Sequence, residues 1–216
     1  MIKRRRKFDK DLAIRQAMEE FWRHGYTGAT LARLKIAMGG ICSPSLYAAF
    51  GSKKRLFEYA LETYYNDELL PSLQLVELNS LEAIDSYLRQ VVTRFTTDGK
   101  PRGCLVEVCQ AESFAWGSSL QRQLSALREL NTQVVLRSLE QAQLSGVLVL
   151  RMEPRRLSEL TNLLISGLSG MARKGASREH LLEVVETFLD CILLRTKDPK
   201  THFDGGQVSL DHQHER

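Results

Sequence analysis

The residues best suited to chemistry sit close together in the stretch ICSPSLYAAFGSKKRLF, residues 41–57. Its centre, Pro44 to Phe50, can form a helix of seven residues, with Ser43 in front and Gly51-Ser52 behind. Isolated helices below roughly 12–15 residues rarely recover the cost of nucleation, so this one must be held by its neighbours. Leu46 and Phe50, four apart, suit that supporting core, which leaves Ser43, Ser45, Tyr47 and Ala48 facing outward. Pro44 fits a first helical turn, where its missing N–H costs nothing. Small side chains there let the backbone approach the major groove of a duplex. Serine hydroxyls can bond phosphates or base edges, and an alanine methyl can touch a thymine methyl. Tyr47 adds a hydroxyl for phosphate, and Lys53 stands where a following helix N-terminus favours an anion.

The elements that must position this stretch are legible around it. Ile14, Ala17, Met18 and Phe21 recur at helical spacing from Asp11 to His24, and Gly25 suits the left-handed cap that ends that helix. Thr30 can cap a short helix from Leu31 to Met38, stopped by Gly39-Gly40. Ser52 can cap a fourth helix from Lys53 to Leu70, stopped by Pro71. A helix, a turn and a second helix opening on small polar residues fit a helix-turn-helix reader of DNA. Charge agrees: residues 1–60 carry 13 Lys/Arg against 5 Asp/Glu, a net of +8, on a body whose net charge is −4. The run Lys3 to Lys7 would add salt-sensitive affinity for a polyanion.

Beyond residue 70 the pattern stays helical. Segments at 80–95, 104–114, 118–144, 154–173 and 178–195 follow one another, and VLVL at 147–150 is too short to build a sheet. The expected fold is all-α, with about nine helices: a three-helix head on a larger helical body. Residues 1–52 form the arm and head, 53–196 the body and 197–216 a flexible tail. The longest apolar runs are far too short to span a bilayer, and no apolar segment follows the basic N-terminus, so the expected compartment is the cytoplasm, with no membrane partner. The four cysteines show neither a CxxC pair nor a histidine at zinc-finger spacing. The five histidines are scattered, with no Ser-His-Asp set, no metal cluster and no Gly-rich phosphate loop. The reading is therefore a non-enzyme without a cofactor; a helical adaptor that binds protein is the competing class, against which the basic head argues.

FWRHGYTGATLARLKIAMGG followed by SPSLYAAFGSKKRLF resembles the DNA-binding head of the TetR/AcrR family of transcriptional regulators. The matching positions include Phe21, Gly25, Tyr26, Thr30, Leu46, Tyr47, Phe50 and Lys53. The resemblance implies that Thr30, Tyr47 and Lys53 contact phosphates, while Ser43, Pro44 and Ser45 open the recognition helix and make most base contacts. Gly39-Gly40 makes the turn one residue longer than the family spacing.

The resemblance further implies a body that senses a small-molecule inducer and forms a homodimer on a palindromic operator, most often as a repressor. The last two helices would pair across a two-fold axis. Leu160, Leu164 and Leu168 on one, with Val185, Phe188 and Ile192 on the other, suit that interface, since both helices are apolar around much of their surface. Tyr64, Tyr87, Phe95, Phe114 and Trp116, with Cys104 as a polar member, are candidates for the ligand pocket, though each aromatic also suits a plain core position. The phrase RGCL at 102–105 resembles a subset of the family in which a cysteine opens a helix. Cys104 beside Arg102 would then have a lowered thiol pKa, which makes a redox- or electrophile-sensing regulator the alternative reading. A buried cysteine acting as a small apolar residue is the plain one.

Overall fold

The computed structural model describes residues 9–76, 81–110, 112, 118–146 and 149–194. The basic arm Lys3 to Lys7, the tail 197–216, Phe114 and Trp116 lie outside them. Ten α-helices follow one another: α1 Lys10–Gly28, α2 Leu31–Ala37, α3 Ser43–Phe50, α4 Lys53–Tyr64, α5 Leu70–Val76, α6 Leu81–Phe95, α7 Leu105–Gln110, α8 Ser118–Leu144, α9 Pro154–Arg173 and α10 Arg178–Ile192. The expected all-α class, a helix-turn-helix head on a helical body, is the one observed.

The head is built around α1. Its buried face carries Ala13, Ile14, Ala17, Met18, Phe21 and Trp22, and it packs against α2, α4 and α7. Asp9 caps the first turn by accepting from Leu12 N–H at 3.0 Å. Helical hydrogen bonding runs on past His24 to Gly28, but Gly25 breaks the regular run at φ 70° and ψ 175°, a conformation open essentially to glycine alone. Thr30 and Ser52 cap α2 and α4 as expected, each accepting the N–H three residues on.

Three boundaries differ from the sequence reading. Pro71 does not end the fourth helix: a π-helical turn over Tyr65–Leu69 carries the chain into α5. There Leu70 N–H donates to Tyr65 O, five residues back, so the proline follows where the usual ladder has already changed step. The last helix stops at Ile192, and Leu193–Leu194 pair antiparallel with Val149–Leu150, a two-residue ladder that uses part of the VLVL run. Among the described residues, the segment after Gly103 supplies six helical ones, Leu105–Gln110.

The body surrounds α6, whose Ile84, Tyr87, Leu88, Val91, Val92 and Phe95 are all buried. It packs against α5, α9 and α10, while α8 lies against α7 and α9. Of the residues expected at a two-fold interface, Leu168, Val185 and Ile192 are buried inside the protomer. They occupy the inward side of helices that are apolar on several sides, and the protomer's own core takes that side first. Leu160 is exposed, and Leu164 and Phe188 are half-buried. The outermost apolar side chain on α9 is Leu163, 64% exposed.

Gly25→Ala tests the head joint. A Cβ there would meet the Glu112 carboxylate at 2.1 Å in addition to the backbone strain. Urea unfolding should show a loss of about 2 kcal/mol or more; an unchanged midpoint would mean the kink carries no constraint.

Candidate nucleic-acid interface

The reader helix α3 begins at Ser43, one residue before the expected start, with Cys42 at the cap position and Pro44 in the first turn. Leu46 and Phe50 are buried and hold it to the head. Pro44, Ser45, Tyr47 and Ala48 are exposed and Ser43 is half-buried. Tyr47, at 46%, is unusually open for an aromatic residue on so short a helix. Two hydroxyls are pre-set from nearby: Lys35 Nζ donates to Ser43 Oγ at 3.1 Å, and Ser45 Oγ lies 3.1 Å from Cys42 Sγ. Lys35 was not singled out in the sequence, because its place on α2 relative to α3 depends on the turn.

That turn is where the additional glycine acts. Gly39 and Gly40 both adopt positive φ, 77° and 80°. Gly39 N–H donates to Ile36 O and Gly40 N–H to Lys35 O, closing the end of α2. The extra residue is absorbed in a left-handed pair, with nothing within 4 Å of either missing Cβ.

Cations flank this surface. Lys53 opens α4 with its ammonium 4.6 Å from the Tyr26 ring centre. Partial burial depresses its pKa, and the negative charge of Glu112 acts in the opposite direction. Lys10 Nζ lies 4.7 Å from the Tyr59 ring and 5.8 Å from the Phe50 ring. Thr30 is exposed while its oxygen accepts from Arg33 N–H.

Behind the reader, the head is fastened to the body by hydrogen bonds that no sequence pattern announced. Glu112 accepts from Thr27 N–H at 3.0 Å, just past the Gly25 break. Arg173, at the end of α9, donates to the carbonyls of Trp22 and Arg23, both at 3.1 Å. A basic residue in a last helical turn signals a cap for its own helix; here it caps α1. The Trp22 indole N–H donates to Gly103 O at 3.0 Å, and its ring meets Tyr64 edge-on at 4.9 Å.

Tyr64 leads inward. Its hydroxyl donates to Cys104 Sγ at 3.4 Å, and Cys104 N–H donates to Ser169 Oγ at 2.9 Å. Cys104 borders a chamber of about 30 Å³, shared with Tyr87, Arg94, Glu107, Asn131 and Asn162. Of the expected pocket residues, Tyr87 and Cys104 line this chamber; Tyr64 and Phe95 are buried in the packing around it. Burial pushes the Tyr87 phenol up to about 12 and holds the Tyr64 phenol well above its usual value. It also raises the Cys104 thiol, with the Arg94 guanidinium pulling the other way. Arg102 does not activate this thiol: it donates to Ala176 O. The expected lowering of the Cys104 pKa is therefore reversed, because desolvation of a thiolate outweighs one cation.

No family model matches the chain. Individual proteins do. It is 31% identical over 186 residues to the HTH-type transcriptional repressor ComR of Escherichia coli K12, spanning 84% of this chain and 88% of that one. The HTH-type transcriptional repressor BdcR of the same organism is 27% identical over 198 residues. Among solved structures, a cysteine-substituted form of the TetR family transcriptional regulator CifR, complexed with a 26-base-pair operator duplex, superimposes with a TM-score of 0.77 at 36% identity. That match covers 87% of this chain and 98% of that one. Extended identity at this level and the same helical order agree with the head motif, and the chain belongs to the TetR family of transcriptional regulators.

Proposed function

We propose that the protein is a homodimeric transcriptional repressor that binds a palindromic operator and leaves it when a small molecule occupies the body. The observation that carries this reading is the α3 surface: Pro44, Ser45, Tyr47 and Ala48 stand exposed on a helix anchored by Leu46 and Phe50. In this reading Ser43, Pro44 and Ser45 meet base edges and Ala48 packs on a thymine methyl. Thr30, Tyr47 and Lys53 hold phosphates. The dimer would form through the exposed part of α9, where Leu160 and Leu163 are followed by the exposed Gly167 and Gly170, which permit close helix approach. Two reader helices on a two-fold axis then match half-sites one helical turn apart. The signal would travel through α4, which begins at Lys53 beside the reader and ends at Tyr64 beside Cys104.

One observation keeps a thiol-based version of this mechanism in view: Cys104 touches the last residue of α4 through the Tyr64 hydroxyl. Its burial and raised pKa oppose fast reaction with oxidants or electrophiles.

Selection of genomic fragments by the purified protein should enrich a palindromic duplex, with affinity falling steeply as salt rises. Lys53→Ala should weaken that complex about tenfold and reduce its salt slope by about one. Absence of sequence preference at moderate salt would refute the reading. Leu163→Glu should give a monomer in sedimentation and a corresponding loss of operator affinity; an unchanged dimer would place the interface elsewhere. Alkylation of the native protein with iodoacetamide should modify exposed Cys42 and Cys191 before Cys104 and Cys109. The thiolate fraction of both buried cysteines is small at neutral pH, because their pKa values are raised, and it grows only as pH climbs. Cys104 reacting first would establish the thiol-sensing version.

A further inference from the structure

Arg94 is a charged residue on an apolar helix face. It follows Tyr87 and Val91 at i, i+4, i+7 along α6, and only 8% of it is exposed. One guanidinium nitrogen, Nη1, donates to Glu68 O at 2.6 Å and Ser72 Oγ at 3.0 Å. Its Nε is buried with no hydrogen-bond partner. The two carboxylates that border it are already taken. Glu68 pairs with Lys100 at 2.6 Å, and Glu107 pairs with Arg128 at 3.3 Å while accepting from Ser166 Oγ at 2.7 Å. Among the described residues no carboxylate forms an ion pair with Arg94. A buried guanidinium without a counter-ion is costly, and such groups in native proteins are normally paired.

The chamber beside Arg94 supplies a place for the missing partner. Its lining includes polar groups, the Tyr87 hydroxyl bonded to Asn131 and the Asn131 amide bonded to Asn162. Leu69, Val106, Leu127 and Ile165 also line it, as do Glu107 and Arg128, which are paired with each other. A guanidinium with no counter-ion and aliphatic side chains lining one chamber are the complement of a small organic acid. The planar fork of a guanidinium matches a carboxylate better than it matches a neutral acceptor.

We propose that the chamber between α6, α7, α8 and α9 binds a small organic carboxylate, its charge on Arg94 and its hydrocarbon part against Leu127 and Ile165. This deepens the reading of the body as a sensor and rests on it. The chamber now has room for a few waters and little more. An acid of several carbons must therefore displace its walls, including Cys104. Movement of Cys104 would disturb the Tyr64 contact and, through Gly103, the Trp22 hydrogen bond that fastens α1.

The test compares acids with their neutral amides on the full chain. Acetate, hexanoate and benzoate at millimolar concentration, against sodium chloride of equal ionic strength, should raise the thermal midpoint. Hexanamide and benzamide should bind at least about tenfold more weakly, since they lack the charge that pairs with Arg94. Arg94→Gln should abolish the preference for acid over amide while far-UV circular dichroism stays helical. If that variant fails to fold, the acid-to-amide ratio on the unaltered protein decides alone. Equal binding of acid and amide, no shift with any of the three acids, or an unchanged preference in folded Arg94→Gln would overturn the proposal. A chamber satisfied by ordered water would give the second of these results. Operator binding measured without added acid is a separate readout, so failure here leaves the regulator reading standing.

Discussion

The buried indole of Trp22 is the contact on which the rest of the arrangement depends. It is fully enclosed, yet it belongs to the head and makes its hydrogen bond to the body, at Gly103 O. An aromatic of this size contributes strongly to a core, and its N–H must find an acceptor once water is excluded. Gly103 can offer that carbonyl because it lacks a side chain: a Cβ at its φ of 81° would meet Ser169 O at 2.8 Å. The carbonyl of Trp22 itself is occupied by Arg173, and its ring is met by Tyr64. One residue thus ties α1, α4, the loop before α7 and the end of α9 to one position.

That joint connects the chamber residues to α4 and α3. Cys104 follows Gly103 directly and holds Tyr64, which ends α4; Lys53 and Ser52 at the other end of α4 adjoin α3. The π turn after Tyr64 matters here, since such turns interrupt the regular ladder and are common at functional sites. It brings Glu68 to Lys100 and presents the Glu68 carbonyl to Arg94. Head, π turn and chamber therefore share contacting residues. Glu112 adds a second tie, reaching back to Thr27 beside the kink at Gly25.

The parts legible in the sequence are those governed by local rules. The caps at Thr30 and Ser52, the left-handed Gly25 and the anchors Leu46 and Phe50 follow from short-range stereochemistry and periodicity. The limits of α8 and α9 were readable for the same reason. Local rules failed where an exception depended on distant partners. Pro71 read as a stop, but the π turn had already altered the ladder. Leu168, Val185 and Ile192 read as interface residues, because apolarity alone does not say which of two cores will cover a side chain. Arg102 read as the cation beside Cys104 because it is two residues away in sequence; its side chain goes to Ala176, and Arg94, ten residues before the cysteine, is the cation that acts on the thiol.

The sequence by itself determined an all-α chain with a basic head and a short third helix bearing small residues, because those properties depend on spacing, caps and charge within a few turns. The tertiary structure decided which buried groups meet: Trp22 with Gly103, Glu112 with Thr27, and Arg94 with a chamber whose carboxylate, Glu107, is paired with Arg128. The first two of those pairings join residues 81 and 85 positions apart. Whether a buried polar group is satisfied depends on geometry and desolvation after packing, and neither is encoded in the spacing of nearby residues.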